Sequence, residues 1–380
     1  MKTAVQFGAG SIGRGFMGQL FTESGYEVVF VDVVPEVVSE LNRRRSYPLH
    51  IVGEGAQELT VRNVRAVDGR DAEAVASEVA AASLICTAVG ASALPAVAKP
   101  LARGLARRTE PVNIIVCENM PHPAETLREL LLSDASPELA AFIRDRVGLS
   151  EAVVARMVPV QRPTPGADPL LVVVEAYKRL PVDARGFVGE VPRVVGMEPT
   201  DNIRAYADRK LFSHNAVHAV AAYLGHLRGY QYIYQVMADD ALSTAVREAA
   251  WETGEALIRK HGFTREEHAA YLDDLLRRIG SVPLGDTVAR VGRDPVRKLA
   301  REDRLVGGAL LAMEYDIRAA RLAQAIAAAL LFDEPGDPSA GELQRMLAAE
   351  GVDAVLRKVC GLEPDHPLAT MVRQEYQKLR

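Results

Sequence analysis

Cysteine is scarce: three in 380 residues, an odd number, with Cys86, Cys117 and Cys360 far apart. That excludes a disulfide framework and a cysteine-built zinc site, and fits a reducing cytoplasm. Aromatic residues are only 6% of the chain, and the single Trp251 falls in a helical stretch where packing explains it. There is no basic excess. Lys and Arg number 45 against 50 Asp and Glu, a formal net charge of −5. Neither a broad nucleic-acid surface nor attraction to a membrane is expected from that balance. The longest apolar run, Leu322 to Phe332, is broken by Gln324 and too short to cross a bilayer. No basic–apolar–small-residue export pattern follows Met1-Lys2. No fixed-period repeat or low-complexity tract is present.

What is present starts at once. Residues 3–7, TAVQF, read as a short buried strand, followed by FGAGSIGRGF with Gly8, Gly10 and Gly13 in the Gly-x-Gly-x-x-Gly spacing. A helix from about Ile12 to Ser24 and a second strand, Glu27 to Val31, come next. That strand ends at Asp32, 24 residues after the first glycine. Each part has a physical task. Gly8 permits a tight turn, Gly10 lets the backbone approach a pyrophosphate, and Gly13 lets helix and strand pack closely. The helix N-terminus offers N–H groups and the positive end of a dipole to phosphates. Asp32 can accept from the adenosine ribose hydroxyls and would repel a 2′-phosphate, so NAD is favoured over NADP.

Alternation continues. Helices are expected at 35–45, 71–81, 91–106, 121–134 and 137–146, and strands at 48–53, 58–66, 83–89 and 112–117. Thr87 to Gly90 and Glu118-Asn119 stand at strand ends, where open parallel sheets bind ligands. The proline-rich stretch VPVQRPTPGADPL, with Pro159, Pro163, Pro165 and Pro169, cannot be regular throughout. Strands at 151–158, 170–178 and near 187–195 are expected to extend the first sheet, and Gly196 to Thr200 reads as a hinge. From about 201 the pattern is helical: 202–224, 230–237, 240–261, 264–279, 294–304, 308–332, 338–350 and 365–379. The expected architecture is α/β. A Rossmann-type dinucleotide-binding domain with extra strands (1–195) precedes an all-helical domain (196–380).

Two polar groups stand out in the helical half. In ADRKLFSHNAVHAVAAYLG at 207–225, Lys210, Asn215 and His218 fall within an arc of roughly 140° on an α-helix. A lysine, an amide and an imidazole on one face can move a proton and hold a developing oxyanion. A surface lysine, a capping Asn and a core His would give the same spacing. In RVGRDPVRKLAREDR at 290–304, Asp294 can cap a helix begun by Pro295. Arg297, Arg301 and Arg304 would then share a face, with Arg290, Arg293 and Lys298 nearby. Arginine forks suit phosphate oxygens. A solvated helix with internal ion pairs is the alternative.

With these stretches in hand, the chain resembles the polyol-specific long-chain dehydrogenase, or mannitol dehydrogenase, family, in its sugar-phosphate-using branch. The resemblance runs through FGAGSIGRGF (7–16), SYPLHIVGE (46–54), TAVG (87–90), IIVCENM (114–120), GMEPTDNIRAYADRKLFSHNAVHAVAAYLG (196–225) and RVGRDPVRKLAREDRL (290–305). It implies that Lys210 is the general base, that Asn215 and Asn119 polarise the substrate oxygen, and that His218 binds or orients the substrate. The implied NAD site comprises Ala4, Val5, Gln6 and Phe7 on the strand, then Gly8, Ala9, Gly10, Ser11, Ile12, Gly13, Arg14 and Gly15. Asp32, Thr87 and Gly90 complete it. Arg290, Arg293, Arg297 and Lys298 are the candidates for a substrate phosphate. No metal is implied. The implied reaction interconverts D-mannitol 1-phosphate and D-fructose 6-phosphate by hydride transfer, in a cytoplasmic monomer without nucleic-acid or membrane partners. A relative acting on an unphosphorylated polyol or hexuronate, and a non-catalytic nucleotide-sensing protein, are the alternatives. One departure bears on mechanism: longer relatives place a glutamate three residues before the lysine, and here that position is Ala207.

Overall fold

A computed structural model describes residues 2–159 and 166–380; Pro163 and Pro165 lie outside them. Two compact units result, Met1–Ile203 and Arg204–Arg380.

The first unit is built on a six-stranded parallel sheet. Its strands are β1 (Thr3–Phe7), β2 (Glu27–Asp32), β5 (Val64–Asp68), β6 (Leu84–Thr87), β7 (Val112–Val116) and β8 (Val147–Glu151). They lie in the order β5-β2-β1-β6-β7-β8. This is the doubly wound order whose switch point falls between β1 and β6. Helices cover both faces, so the strands are apolar almost without interruption. Ala4, Phe30, Cys86 and Ile115 face one core layer. Val5, Val29, Ile85 and Ile114 face the other, against Val75, Val79, Leu101 and Leu127.

Three expectations change here. The expected strand 58–66 is two strands, β4 (Gln57–Arg62) and β5, broken at Asn63 with φ +59°. β4 pairs antiparallel with β3 (Ser46–Val52), whereas β5 continues the main sheet beside β2. Second, 170–178 does not extend the main sheet. Its core, β9 (Val172–Glu175), pairs parallel with β3 in a separate sheet, β4-β3-β9. Gly15 makes this possible, because a Cβ there would lie 2.9 Å from the methyl groups of Val172 and Val174. Third, no strand forms in 152–159, where Ala152 only bridges to Val182, or in 187–195. Val188 is instead held by the Asn113 amide, which accepts from Val188 N–H (2.8 Å) and donates to its carbonyl (3.1 Å). The expected hinge contains a strand: β11 (Met197–Thr200) pairs parallel with β10 (Leu180–Asp183).

The second unit is helical. Ile203–Arg209, a π turn at Lys210–Asn215 and Ala216–Leu227 follow without a break. Ala216–Leu227 packs on Asp240–His261, Val288–Gly292 and Ala320–Leu330. The alanines let backbones approach closely; Ala325, Ala327, Ala328 and Ala329 are fully buried. The expected helix 308–332 is two helices, Val306–Glu314 and Ala320–Leu330, separated by a turn containing Asp316 with φ +58°. The expected helix 294–304 is one turn, Pro295–Lys298. Its continuation tightens into turns, with Ala300 N–H on Arg297 O and Asp303 N–H on Ala300 O. No helix of the described residues is long and apolar enough to cross a membrane.

Candidate active site

In the first unit the glycine loop joins β1 to a helix running through residues 11–23. Gly8 has φ +88°, and a Cβ on it would lie 2.5 Å from the Ala88 carbonyl oxygen. A Cβ on Gly13 would lie 1.9 Å from the carbonyl oxygen of Gly8. Gly10 differs: nothing stands within 4 Å of the space its Cβ would take. Two positions are thus closed by the protein, and the third is open to a ligand. Ala4, Val5, Gln6 and Phe7 are buried in β1 and position the loop, whereas Gly10 and Ser11 are its exposed residues.

The helix begins with a π turn, Gly13–Met17, in which Gly18 N–H reaches back five residues to Gly13 O. Such turns leave carbonyls in need of donors, and they recur at functional sites. Here the Tyr47 hydroxyl donates to Arg14 O (2.6 Å) and Arg156 Nη1 donates to Gly15 O (2.8 Å). Burial raises the Tyr47 phenol and lowers the Arg156 guanidinium to about 10. Arg14 spends its side chain on Ala9 O (2.6 Å) and Leu170 O (2.7 Å), so it braces the loop.

Asp32 is fixed from two sides. Its Oδ2 accepts from Ala9 N–H at 2.6 Å and its Oδ1 from Val34 N–H at 3.0 Å. A carboxylate has about four lone-pair sites, so two remain for ribose hydroxyls. At the switch point, Thr87 Oγ1 at the end of β6 is buried without a hydrogen-bond partner among the described residues. Gly90 has φ +89°. Glu118, noted only as a strand-end residue and given no role from the sequence, shapes this edge. Its carboxylate accepts from Val89 N–H (3.0 Å) and Gly90 N–H (2.7 Å), tying the end of β7 to the turn after β6. A strand-end Glu before Asn119 was the available signal. Asn119 is exposed at the same edge. The open approach at Gly10, the helix N-terminus, the two free sites of Asp32 and the orphaned Thr87 hydroxyl fit a dinucleotide.

In the second unit, Lys210 opens the π turn and Asn215 closes it, with Ala216 N–H on Leu211 O. In an α-helix, residues five apart lie about 140° from each other. In a π turn the bond runs i to i+5, so they follow one another by about a turn and approach the same face. Lys210, Asn215 and His218 are half-buried, as is Leu211, among buried Phe212, Ser213, His214, Ala216 and Val217. The residues just before Lys210 are anchored. Buried Asp208 is held by Arg204 (2.9 Å), Lys260 (3.0 Å) and His261 (3.0 Å). Burial alone would raise its carboxyl, but the bonds from His261 and Lys260 and the nearby cations outweigh that and lower it. The Arg209 guanidinium lies over Tyr206 (4.9 Å), Phe263 (4.4 Å) and Tyr271 (4.5 Å). His214 is kept neutral, first by burial and then by the charges of Arg278, His218, Lys210 and Arg304.

His218 Nε2 lies 3.3 Å from Oδ2 of Asp286, whose other oxygen takes Arg290. Asp286 is a second residue that the sequence reading missed; before Thr287 it looks like an ordinary cap. The four basic candidates are not gathered alike. Arg290 belongs to the His218–Asp286 group. Arg293 is exposed at the end of Val288–Gly292. Arg297 is committed to Asp294 at 2.6 Å and Asp303 at 3.3 Å. Lys298 is buried, its ammonium donating to the carbonyls of Val291 and Arg293; burial and the surrounding arginines lower it to about 7. Arg297, Arg301 and Arg304 do not share a helix face, because the helix stops at Lys298. Arg301 donates to Gly361 O and Arg304 to Asp303. Asp294 does not cap with its side chain: its φ is +61° and its carboxylate takes Arg297.

The sequence model described as "Mannitol dehydrogenase Rossmann domain" matches residues 2–196, and "Mannitol dehydrogenase C-terminal domain" matches 202–380. The chain belongs to the mannitol dehydrogenase family. Within that family, the mannitol-1-phosphate 5-dehydrogenase of Brevibacillus brevis is 41% identical, over 99% of this chain and 98% of that one. The mannitol-1-phosphate 5-dehydrogenase of Oceanobacillus iheyensis is 38% identical, over 100% and 99%. Among solved structures, a Pseudomonas fluorescens mannitol 2-dehydrogenase ternary complex with NAD and D-mannitol aligns with TM-score 0.79 at 18% identity, covering 100% of this chain and 92% of that one. A D-sorbitol dehydrogenase in substrate-free form aligns with TM-score 0.81 at 17% identity, covering 100% and 93%. These two share the fold of the family member described here.

Proposed function

We propose that this member of the mannitol dehydrogenase family is an NAD-dependent oxidoreductase interconverting D-mannitol 1-phosphate and D-fructose 6-phosphate. The observation that carries the reading is the π turn, which brings Lys210 and Asn215 toward one face beside His218. The names of the two bacterial relatives supply the substrate. When bound, the nicotinamide accepts or returns the hydride. Lys210 takes the hydroxyl proton in oxidation and returns one in reduction. A solvated amine, with a reference pKa of ~10.4, holds its proton too firmly for this task. Desolvation in a closed cleft, or a nearby cation, would favour release. Asn215 donates to the developing oxyanion, a role also assigned to Asn119. With proton transfer and oxyanion stabilisation both supplied by side chains, the reaction is proposed to need no metal. The test is NADH oxidation with fructose 6-phosphate against fructose, in buffer containing a chelator. Turnover of the ester alone supports the reading; equal turnover of free fructose contradicts it.

Two further outcomes follow from the site. Asp32→Ala removes the ribose acceptor and frees Ala9 N–H, so NAD affinity should fall by about tenfold or more, with NADP affected less. Titration of both cofactors checks this, and an unchanged preference contradicts the ribose role. For the phosphate, Lys298 and Arg297 are spent on other partners and Arg290 is paired with Asp286, so exposed Arg293 is the first candidate and Arg290 the second. Loss of a charge-assisted contact costs about 1.5–3 kcal/mol, or roughly 10- to 100-fold. At the true contact, replacement by alanine should raise KM for the phosphate ester by that factor and leave KM for free mannitol little changed. Arg297→Ala should show no such selectivity.

A further inference from the structure

Asp286 is 6% exposed and is held from every side. Its carbonyl accepts from Ile233 N–H at 2.9 Å, and the next residue, Thr287, bridges to Tyr232. Thr287 also caps the helix Val288–Gly292, accepting from Arg290 N–H at 3.2 Å. That helix is tied to the one bearing His218, since the Tyr223 hydroxyl donates to Gly292 O at 2.8 Å. Asp286 Oδ2 lies 3.3 Å from His218 Nε2, an ion-pair contact rather than a formed hydrogen bond, since Nε2 is buried with no hydrogen-bond partner among the described residues, and its other oxygen takes Arg290. A buried carboxylate persists only when paired. Here burial would raise the Asp286 carboxyl, but His218 and Arg290 together outweigh it and hold it below the usual range. An ionised carboxylate presents only lone pairs, so at this distance it repels a bare ring nitrogen and favours the ring form that carries its proton on Nε2. In a neutral ring the other nitrogen is then an acceptor.

We propose that Asp286 is a positioning residue that locks His218 as the Nε2–H tautomer and couples it to Arg290, so that His218 offers Nδ1 as an acceptor to a substrate hydroxyl. The substrate part rests on the polyol reading above. An acceptor imidazole suits a carbon chain lined with hydroxyl donors and cannot bind a bare carbonyl oxygen.

Nitrogen-15 NMR of the full-length, histidine-labelled protein tests the tautomer directly, with His218→Gln to assign the resonance. Wild type should show a protonated Nε2 and an unprotonated Nδ1. In Asp286→Asn, Arg290 still demands the side-chain oxygen, so the amide nitrogen turns toward His218. The ring should then change to the Nδ1–H form, and kcat should fall about 10- to 100-fold with NAD affinity unchanged. A protonated Nδ1 in wild type would overturn the proposal without any variant. So would Asp286→Asn retaining wild-type kcat, or losing turnover with the His218 tautomer unchanged. Absence of turnover in wild type would count against the polyol phosphate as substrate, while the NMR result still decides the role of Asp286.

Discussion

Lys210→Ala should lower kcat by about 10²–10⁴, the usual contribution of a positioned general base, while the dissociation constant for NAD stays within about threefold, less than 1 kcal/mol. The split follows from location. Lys210 opens the π turn of the second unit, and the groups that fit the dinucleotide, from Gly8 to Thr87, belong to the first. Anchoring of Asp208 and Arg209 by their own partners means that truncating Lys210 leaves the preceding turn in place. Melting temperature should therefore change little. Steady-state kinetics and a cofactor titration on the same preparation check the claim. Partial restoration of turnover by small primary amines would identify the missing group as a base. Wild-type activity in the variant would remove Lys210 from that role.

Gly13→Ala and Gly10→Ala should both abolish tight dinucleotide binding, for different reasons. At Gly13 the added methyl would lie 1.9 Å from Gly8 O and 2.9 Å from Gly8 C, both backbone atoms. The loop must move, at a cost of about 1–3 kcal/mol for overpacking, and the first unit should melt earlier. At Gly10 no atom of the protein stands within 4 Å of the methyl position. The variant should keep its melting temperature and yet lose NAD affinity by about tenfold or more, because the methyl occupies the approach of the pyrophosphate. Calorimetry with and without NAD separates the two. Equal NAD binding by Gly10→Ala and wild type would show that the open space is not the phosphate approach.

The difference between what was legible and what was not follows the range of the signals. The glycine loop, its helix and Asp32 are encoded within 25 consecutive residues by turn chemistry and a strand end, so the strand–loop–helix–strand unit forms as expected. The split at Asn63 depends on one left-handed residue inside a stretch of mixed polar and apolar residues, and β-like composition on both sides hides it. The partner of β9 depends on Gly15, more than 150 residues earlier, which no local pattern reveals. The π turns are hidden for another reason. One extra residue per turn leaves hydrophobic periodicity over so short a stretch almost unchanged, yet it alters which side chains share a face. Lys210 and Asn215 were chosen on α-helical spacing and lie closer in direction than that spacing allows. Asp286 stayed invisible because a buried acid before a threonine reads as a cap; only the distance to His218 gives it a role.

The most direct measurement is NADH formation by the purified chain from D-mannitol 1-phosphate and NAD, with mannitol, glucitol 6-phosphate and NADP as controls. The account predicts turnover with mannitol 1-phosphate and NAD that is lost in Lys210→Ala, with the controls far weaker. Tight NAD binding without turnover of any sugar phosphate would contradict it.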